Sequence, residues 1–233
     1  MKLGLGLNVS SNVYHDNYSL LLNGSTQYVN CDTAAGDMNA ASGTISAWVR
    51  ISDAMSANGQ VLKASTDSNN QLHLQYHNAS EEWRFTYKAG GTVDLAVSST
   101  TAEDTGDWVH VAMTWDASED ELKGYVNGTQ VGGTKSSLGT WSGAINECYI
   151  GTNTLASNSF FKGNINEVSI FTNVADISKL YNGGNPVDVS NIPNLVGYYK
   201  FEEGSGTTTL DSSGTGNTGT LVNTPSWTTT VKL

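Results

Sequence analysis

A loop near the C-terminus combines the residue types that a hard metal ion prefers. Five of its side chains carry a short oxygen-bearing group: Asp211, Ser212, Ser213, Thr215 and Asn217. Calcium takes roughly six to eight oxygen ligands from carboxylates, amides and backbone carbonyls, so this loop has the chemistry of a calcium site. The same glycine-rich composition is also typical of a tight turn in which Asp211 accepts backbone N–H groups. Both interpretations stay open from the sequence.

Three aromatic residues are the candidates for binding a sugar, because carbohydrate sites combine an aromatic surface with polar side chains. Trp83 and Tyr76 lie in segments with the alternation of strands, and Trp141 lies in a predicted loop. We expect these three side chains to be exposed. The tryptophans of the two most strongly alternating segments are instead expected to pack in or beside the core: Trp48, Trp108 and Trp115.

The acidic residues are not spaced for catalysis. Glycoside hydrolysis uses two carboxylates that face each other across the scissile bond, which on a strand requires acids two or four residues apart on one face. The acids instead cluster at predicted turns or strand edges: Glu81–Glu82, Glu119–Glu121 and Glu202–Glu203. The sequence therefore predicts no enzymatic activity.

The histidines give a weak indication of metal binding. His73 and His77 are four residues apart on one predicted strand, so they share a face and a zinc pair is one interpretation. No acidic partner lies nearby in the sequence, which favours ordinary surface histidines. His110 lies within an alternating apolar strand and is predicted to be structural.

The charge of the chain excludes two classes of partner. The 233 residues include 22 acidic and 11 basic side chains, for a net charge of -11 at pH 7. Because no Lys/Arg cluster offsets this excess, the phosphates of nucleic acid and the surface of an anionic membrane are disfavoured. No apolar run approaches the length of about 18 residues that a membrane-spanning helix needs.

The two cysteines, Cys31 and Cys148, are far apart and match no metal-binding spacing. We expect two reduced, partly buried thiols. A single long-range disulfide is the alternative, and it requires both side chains to face the same core layer.

The pattern of apolar residues predicts an all-β protein. Residues 43–51 and 108–115 alternate strictly between apolar and polar positions, and Asn127-Gly128 supplies a hairpin turn between two further strands. One short helix is predicted at 174–183, where the apolar residues form a stripe that ends at Gly183. We expect two packed antiparallel sheets, a β-sandwich of the jelly-roll type with one short helix, spanning residues 18–233.

The N-terminus is predicted to be a separate arm. Residues 1–17 alternate weakly and then turn polar, so they are interpreted as a docking segment or a frayed end. The first ten residues lack an apolar stretch long enough for a secretion signal. We therefore expect a protein that is made without export.

Several strands together resemble one sequence family. The matching segments, in order, are Ser19–Val29, Gly43–Val49, Trp108–Asp116, Gly124–Gly128, Ile150–Thr152 and Phe161–Phe171. In this order they resemble the laminin-G-like jelly rolls of the concanavalin A-like lectin/glucanase superfamily. The resemblance covers about residues 18–227.

The resemblance implies a calcium ion at the rim of the sandwich, as in many relatives. Asp211 and Asn217 match the acidic loop of the family, and Asn23 stands where relatives often carry an aspartate before glycine. The loss of that charge at Asn23 weakens the implied site. If calcium is bound, these three residues are its expected ligands.

The order of the segments resembles one subgroup more than the others. In many relatives the glycine- and aspartate-rich segment comes first, whereas here residues 203–217 follow the predicted helix. This order resembles jelly-roll proteins of bacteriophage particles, especially marine ones, which need no export because they assemble in the host cytoplasm.

We therefore predict a non-enzymatic virion surface protein on a capsid or tail. The arm would dock to other virion proteins, the sandwich would be displayed in many copies, and it would touch host glycans weakly. The alternative is a secreted or cell-surface bacterial adhesin that binds carbohydrate outside the cell.

Overall fold

The computed structural model describes residues 14, 16–52, 55, 57–97, 106–153 and 159–232. The predicted arm at 1–17 therefore falls largely outside the described residues, and only Tyr14, Asp16 and Asn17 of it are placed. In the described part, no helix is both long enough and apolar enough to cross a membrane.

The described residues form sixteen strands and two short α-helices. In chain order these are β1 Ser19–Asn23, β2 Tyr28–Asn30, α1 Asp32–Ala35, β3 Ser42–Ile51, β4 Gly59–Asp67, β5 Asn70–His77, β6 Glu82–Ala89, β7 Thr92–Val97, β8 Trp108–Asp116, β9 Glu121–Val126, β10 Thr129–Lys135, β11 Glu147–Ile150, β12 Lys162–Phe171, α2 Ile177–Tyr181, β13 Leu195–Tyr199, β14 Thr208–Thr209, β15 Gly219–Val222 and β16 Ser226–Thr228.

The strands assemble into two antiparallel sheets. Sheet 1 has the order β10-β9-β8-β3-β12-β1-β16, with β13 also paired to β12, and sheet 2 has the order β14-β15-β2-β11-β4-β5-β6-β7. The predicted all-β sandwich is thus confirmed. Asn127 and Gly128, predicted to turn the β9–β10 hairpin, both have positive φ angles, of 48° and 74°.

Period-two alternation directs one face of each sheet into the core between them. In β3 the inward side chains are Ile45, Ala47, Val49 and Ile51, all 4% exposed or less. In sheet 2 the same face carries Leu72 and Leu74 from β5 and Phe85 and Tyr87 from β6, all fully buried. Because apolar burial stabilises by roughly 25 cal/mol per Å², this shared layer is the main source of stability.

The outer face of sheet 1 is partly covered by the segment around α2. The helix begins after Asp176, whose side chain accepts a hydrogen bond from the Ser178 backbone N–H. Its residues Ile177 and Leu180 join Phe171 and Tyr198 in a second buried cluster. The helix predicted at 174–183 is therefore present, and it is the longer of the two.

The close approach of the two sheets makes a specific prediction at Gly124 in β9. A Cβ added there would lie 2.2 Å from Cδ2 of the buried Phe85 on the opposite sheet. We expect Gly124→Ala to lower the free energy of unfolding by about 1–3 kcal/mol because the core must shift to admit a methyl group. Urea unfolding measures this, with Gly36→Ala as the control, since a Cβ there meets nothing within 4 Å. Equal stabilities of the two variants would contradict the packing argument.

Candidate functional site

The prediction that Tyr76 and Trp83 form an exposed platform is wrong. The two side chains are 7% and 2% exposed, and their rings pack edge to face with centroids 5.2 Å apart. Both point to the inner face, because side chains two residues apart on a strand share a face. Tyr76 is two residues from Leu74 in β5, and Trp83 is two residues from Phe85 in β6. The alternation in the sequence already carried this signal.

Trp141 has a different environment. It lies half-buried in the connection between β10 and β11, where it lines a groove with a volume of about 480 Å³. Tyr87, Asn39 and Thr140 line the same groove. This volume falls within the range of roughly 300–1,000 Å³ that is typical of sites for small organic ligands.

Hydrogen bonds hold both aromatic rings of the groove in place. The Trp141 indole Nε1–H donates to Thr66 Oγ1 at 3.1 Å, and the Tyr87 hydroxyl donates to the Ala40 carbonyl oxygen at 3.2 Å. The two ring centroids are 5.7 Å apart at an interplanar angle of 52°. The exposed Asn39 adds an amide next to them. The groove therefore combines one partly exposed aromatic ring, that of Trp141, held against the fully buried Tyr87, with polar groups, and its described lining contains no Lys or Arg.

The Asp211 loop is held together by its own donors. Asp211 Oδ1 accepts from the backbone N–H groups of Tyr198 and Ser213, both at 2.9 Å. Its Oδ2 accepts from the hydroxyls of Ser213 and Thr215 at 2.8 Å and from the Asn217 N–H at 2.9 Å. Burial raises the pKa of Asp211, but these hydrogen bonds outweigh it and hold the pKa below its ordinary value.

The three residues expected to bind calcium do not converge. Asn23 Oδ1 accepts from the N–H groups of the turn that follows it, and that turn leads into Tyr28 of β2. In the β2–β15 pairing Tyr28 faces Val222, whereas Asn217 precedes the opposite end of β15. With five donors already directed at Asp211, the loop has the geometry of the satisfied turn, and a cation does not fit it.

A second group of oxygen atoms lies on the outer face of sheet 1, and the sequence analysis missed it. We call it the carboxylate cluster: Tyr14, Asp16, Asn166, Glu167 and Tyr198. Glu167 is 5% exposed, and its two carboxylate oxygens accept from the hydroxyls of Tyr14, at 2.7 Å, and Tyr198. Asp16 and Asn166 are 7% and 1% exposed, and within the described part of the chain their side-chain oxygens and the Asn166 Nδ2 have no hydrogen-bond partner.

Burial dominates the electrostatics of the carboxylate cluster. It raises the pKa of Glu167 well above its ordinary value, and the neighbouring charge of Asp16 raises it further. Burial also raises the pKa of Asp16 to about 7, with a further contribution from Glu202. The nearest cation is Lys200, whose Nζ lies 5.3 Å from the Tyr14 ring centroid and 5.2 Å from that of Tyr198. The cluster is therefore short of positive charge.

Glu167 also has an unusual backbone, with a φ of 51° in a strand. Non-glycine residues rarely adopt positive φ, and they do so where the surrounding structure imposes it. The cavity beside Glu167 has a volume of only about 10 Å³, room for about one water molecule. A polysaccharide cannot reach this carboxylate in the described structure.

The three described histidines make local contacts, and His15 lies outside the described residues. His110 is buried, its Nε2 is 2.8 Å from Ser46 Oγ, and burial lowers its pKa to about 3. His73 contacts Gln60 and Gln71, whereas His77 contacts Ser80. Burial, with the charges of two lysines, lowers the pKa of His73 to about 4. Among the described residues no three His, Cys, Asp or Glu side chains are grouped to hold a metal.

Comparison with known proteins agrees with the β-sandwich fold. Residues 23–176 match the family model of the concanavalin A-like lectin/glucanases superfamily. No curated protein matches the sequence.

Several solved structures share the fold. A protein from Bacteroides ovatus described as carbohydrate binding is 19% identical with a TM-score of 0.65, and the match covers 92% of this chain and 60% of that one. Domain 4 of an extracellular arabinanase from Geobacillus stearothermophilus, in complex with arabinotriose, is 18% identical with a TM-score of 0.58, covering 72% and 76%. The IT-sialidase CBM40 from Ruminococcus gnavus is 16% identical with a TM-score of 0.58, covering 73% and 98%.

The carboxylate cluster predicts how stability depends on pH. Because the folded-state pKa of Asp16 is about 7 and its unfolded value is about 3.9, the folded state binds more protons between these values. The contribution of Asp16 to stability is therefore lost as the pH rises through this window, and Glu167 acts in the same direction. His73 and His110 act in the opposite direction below about pH 6.5, because their pKa values are lowered in the folded state.

Urea unfolding in the presence of a chelator should show wild type losing stability relative to Asp16→Asn between pH 5 and pH 8, since the variant lacks the carboxylate that becomes charged. Glu119→Gln, in the exposed turn between β8 and β9, serves as the control and should show the same pH dependence of stability as wild type. A pH dependence that is the same in all three proteins would refute the assignment to Asp16.

Proposed function

The chain belongs to the concanavalin A-like lectin/glucanase superfamily, and from this premise we propose that it is a non-catalytic carbohydrate-binding module. The observation that carries the proposal is the groove at Trp141. It presents the half-buried Trp141 indole, backed by the fully buried Tyr87, with the Asn39 amide and the Thr140 hydroxyl beside it. Sugar rings present apolar C–H faces and a rim of hydroxyls, so an aromatic wall with neutral polar neighbours is complementary to them.

The charge of the groove narrows the ligand to neutral sugars. Its described lining residues include no cation that could pair with a carboxylate or a sulfate. The chain as a whole carries a net charge of -11, which repels anionic ligands at low ionic strength. We therefore propose a neutral oligosaccharide as the ligand.

The positions of the acids support the proposal that the module is not catalytic. Glu82 pairs with Arg84 at 2.6 Å and Glu121 with Lys123, so these edge acids take part in local ion pairs. Glu167 is enclosed beside a cavity of water size. None of these carboxylates lines the groove at Trp141, which supports binding without turnover.

The proposal also includes the location of the module, outside the cell or on its surface. Structures with the same fold include an extracellular arabinanase domain with arabinotriose and a sialidase CBM40 bound to sialyllactose. These neighbours support an extracellular or cell-surface binding module, the alternative considered from the sequence. The virion location and its docking arm stay a prediction, and the matched proteins add no support to them.

We infer that neither oxygen-rich group holds the calcium ion expected from the sequence. Calcium takes roughly six to eight oxygen ligands, whereas Asp16 and Asn166 of the carboxylate cluster offer three, and Lys200 lies beside the cluster. Asp211 already accepts five hydrogen bonds.

Sugar binding can be tested by isothermal titration with a panel of neutral oligosaccharides, with sialyllactose as an anionic comparison. We expect binding to at least one neutral ligand. Trp141→Ala should weaken it by at least roughly tenfold, which is about 1.4 kcal/mol. Trp227→Ala, which removes a half-buried tryptophan of β16, should leave affinity unchanged. Absence of binding across the panel, or release of cleaved products, would refute the proposal.

Calcium binding can be tested by thermal unfolding at pH 8 with calcium or with a chelator. A ligand that binds only the folded state raises its melting temperature. Because neither group holds calcium, we expect wild type to melt at the same temperature in both buffers. Asp211→Asn should melt at a lower temperature because it weakens the turn, again without a response to calcium. Stabilisation of wild type by calcium that is lost in Asp211→Asn would restore the Asp211 loop as a calcium site.

A further inference from the structure

The two cysteines face each other across sheet 2. The β2–β11 pairing places Asn30 opposite Tyr149 and Val29 opposite Ile150, and one further step of this register puts Cys31 opposite Cys148. The Cys31 backbone N–H donates to the Cys148 carbonyl oxygen at 2.9 Å, which continues the ladder. The Cys148 N–H donates instead to the Asp32 side chain. Directly opposed residues of an antiparallel pair have Cα atoms about 4.5–5.5 Å apart, within the range of roughly 4.4–6.8 Å that a disulfide spans.

The side chains of the pair also point in the same direction. Both cysteines are fully buried in the main core, and their sulfur atoms are 2.8 Å apart. Both are free thiols in the structure, and the sulfur atoms must move together by about 0.75 Å to reach the S–S bond length of about 2.05 Å. The condition stated from the sequence, that both side chains face one core layer, is met.

We propose that Cys31 and Cys148 form a disulfide bond that joins β2 to β11. The bond closes a loop across a separation of 117 residues and links the N-terminal part of the chain to the middle of sheet 2. This inference goes beyond the proposed carbohydrate site and does not depend on it.

The bond would form by thiol–disulfide exchange with a small-molecule disulfide or a disulfide oxidoreductase. One cysteine thiolate attacks a sulfur of the donor disulfide, which gives a mixed disulfide and releases one donor thiolate. The second cysteine thiolate then attacks the protein sulfur of the mixed disulfide and releases the other donor thiolate. The two cysteines lose two electrons and two protons in total, and the donor is reduced to two thiols.

The folded environment determines when this exchange can occur. Neither sulfur is accessible in the folded sandwich, and burial raises the pKa of the Cys31 thiol, with further contributions from Cys148 and Asp32. A buried, protonated thiol reacts slowly. The bond must therefore form while the chain folds, and it should resist reductants until the chain unfolds.

The test is to refold the denatured, reduced protein with oxidised glutathione or with dithiothreitol, and then to alkylate in denaturant. After oxidative refolding we expect a monomer that has lost two hydrogen atoms and takes up no alkyl group before reduction. We expect it to melt about 5–10 °C above the reduced protein.

The double variant Cys31→Ser, Cys148→Ser separates the bond from effects of glutathione itself. It should melt at the same temperature in both redox buffers. Two alkylated cysteines in oxidatively refolded wild type, a disulfide-linked dimer, or the same melting shift in the double variant would each overturn the proposal. Sugar binding is measured independently, so failure here leaves the carbohydrate proposal standing.

Discussion

The pairing of β12 with its neighbours organises the whole of sheet 1. On one side β12 pairs with β3 along nearly its full length, and on the other side it pairs first with β1 and then with β13. Where β1 stops and β13 begins, the register with β3 shifts between Asn166 and Ser169. A bulge of this kind redirects side chains, and here it turns Glu167 to the outer face with a positive φ. The carboxylate cluster is therefore a consequence of how two strands share one edge.

That junction also explains why the last residues before β1 are held against the sheet. Tyr14 donates to Glu167, and the Asn17 and Tyr18 backbone N–H groups donate to Glu202. The cost of this arrangement is a buried carboxylate at Asp16 to which no donor among the described residues is well aligned: the Tyr14 hydroxyl donates to Glu167, and the Asn166 amide nearby makes no hydrogen bond of ordinary geometry. Buried polar groups without partners are uncommon in proteins, which makes this cluster the most unusual chemical feature of the described chain.

The Asp211 loop and the groove at Trp141 differ in how their hydrogen bonds leave room for a ligand. At the Asp211 loop, every carboxylate oxygen is satisfied by the loop itself or by Tyr198, so the loop is rigid and has no capacity left for a ligand. At Trp141, hydrogen bonds to Thr66 and from Tyr87 to Ala40 orient the rings while a groove stays open beside them. Loops that are positioned by a rigid sheet in this way are the usual place for binding sites.

The sequence by itself determined the elements and their faces. Alternation in β3 and β8, the Asn127-Gly128 turn and the stripe of α2 are local patterns, and the structure confirms each. Tyr76 and Trp83 occupy alternate strand positions shared with inward-facing apolar residues, which is also a local pattern. The prediction that their rings are exposed did not take this pattern into account. β7 was not predicted, although Val93, Leu95 and Val97 alternate in sequence with the other three residues of this short edge segment.

Only the tertiary structure decided which distant residues meet. Tyr14 and Glu167 are 153 residues apart, Cys31 and Cys148 are 117 apart, and Trp141 reaches Tyr87 across a connection between sheets. The physical reason is that side-chain periodicity specifies a face, whereas strand order and register specify a neighbour. In a sandwich where strands adjacent in space are often far apart in sequence, the neighbours decide the groove, the carboxylate cluster and the cysteine pair.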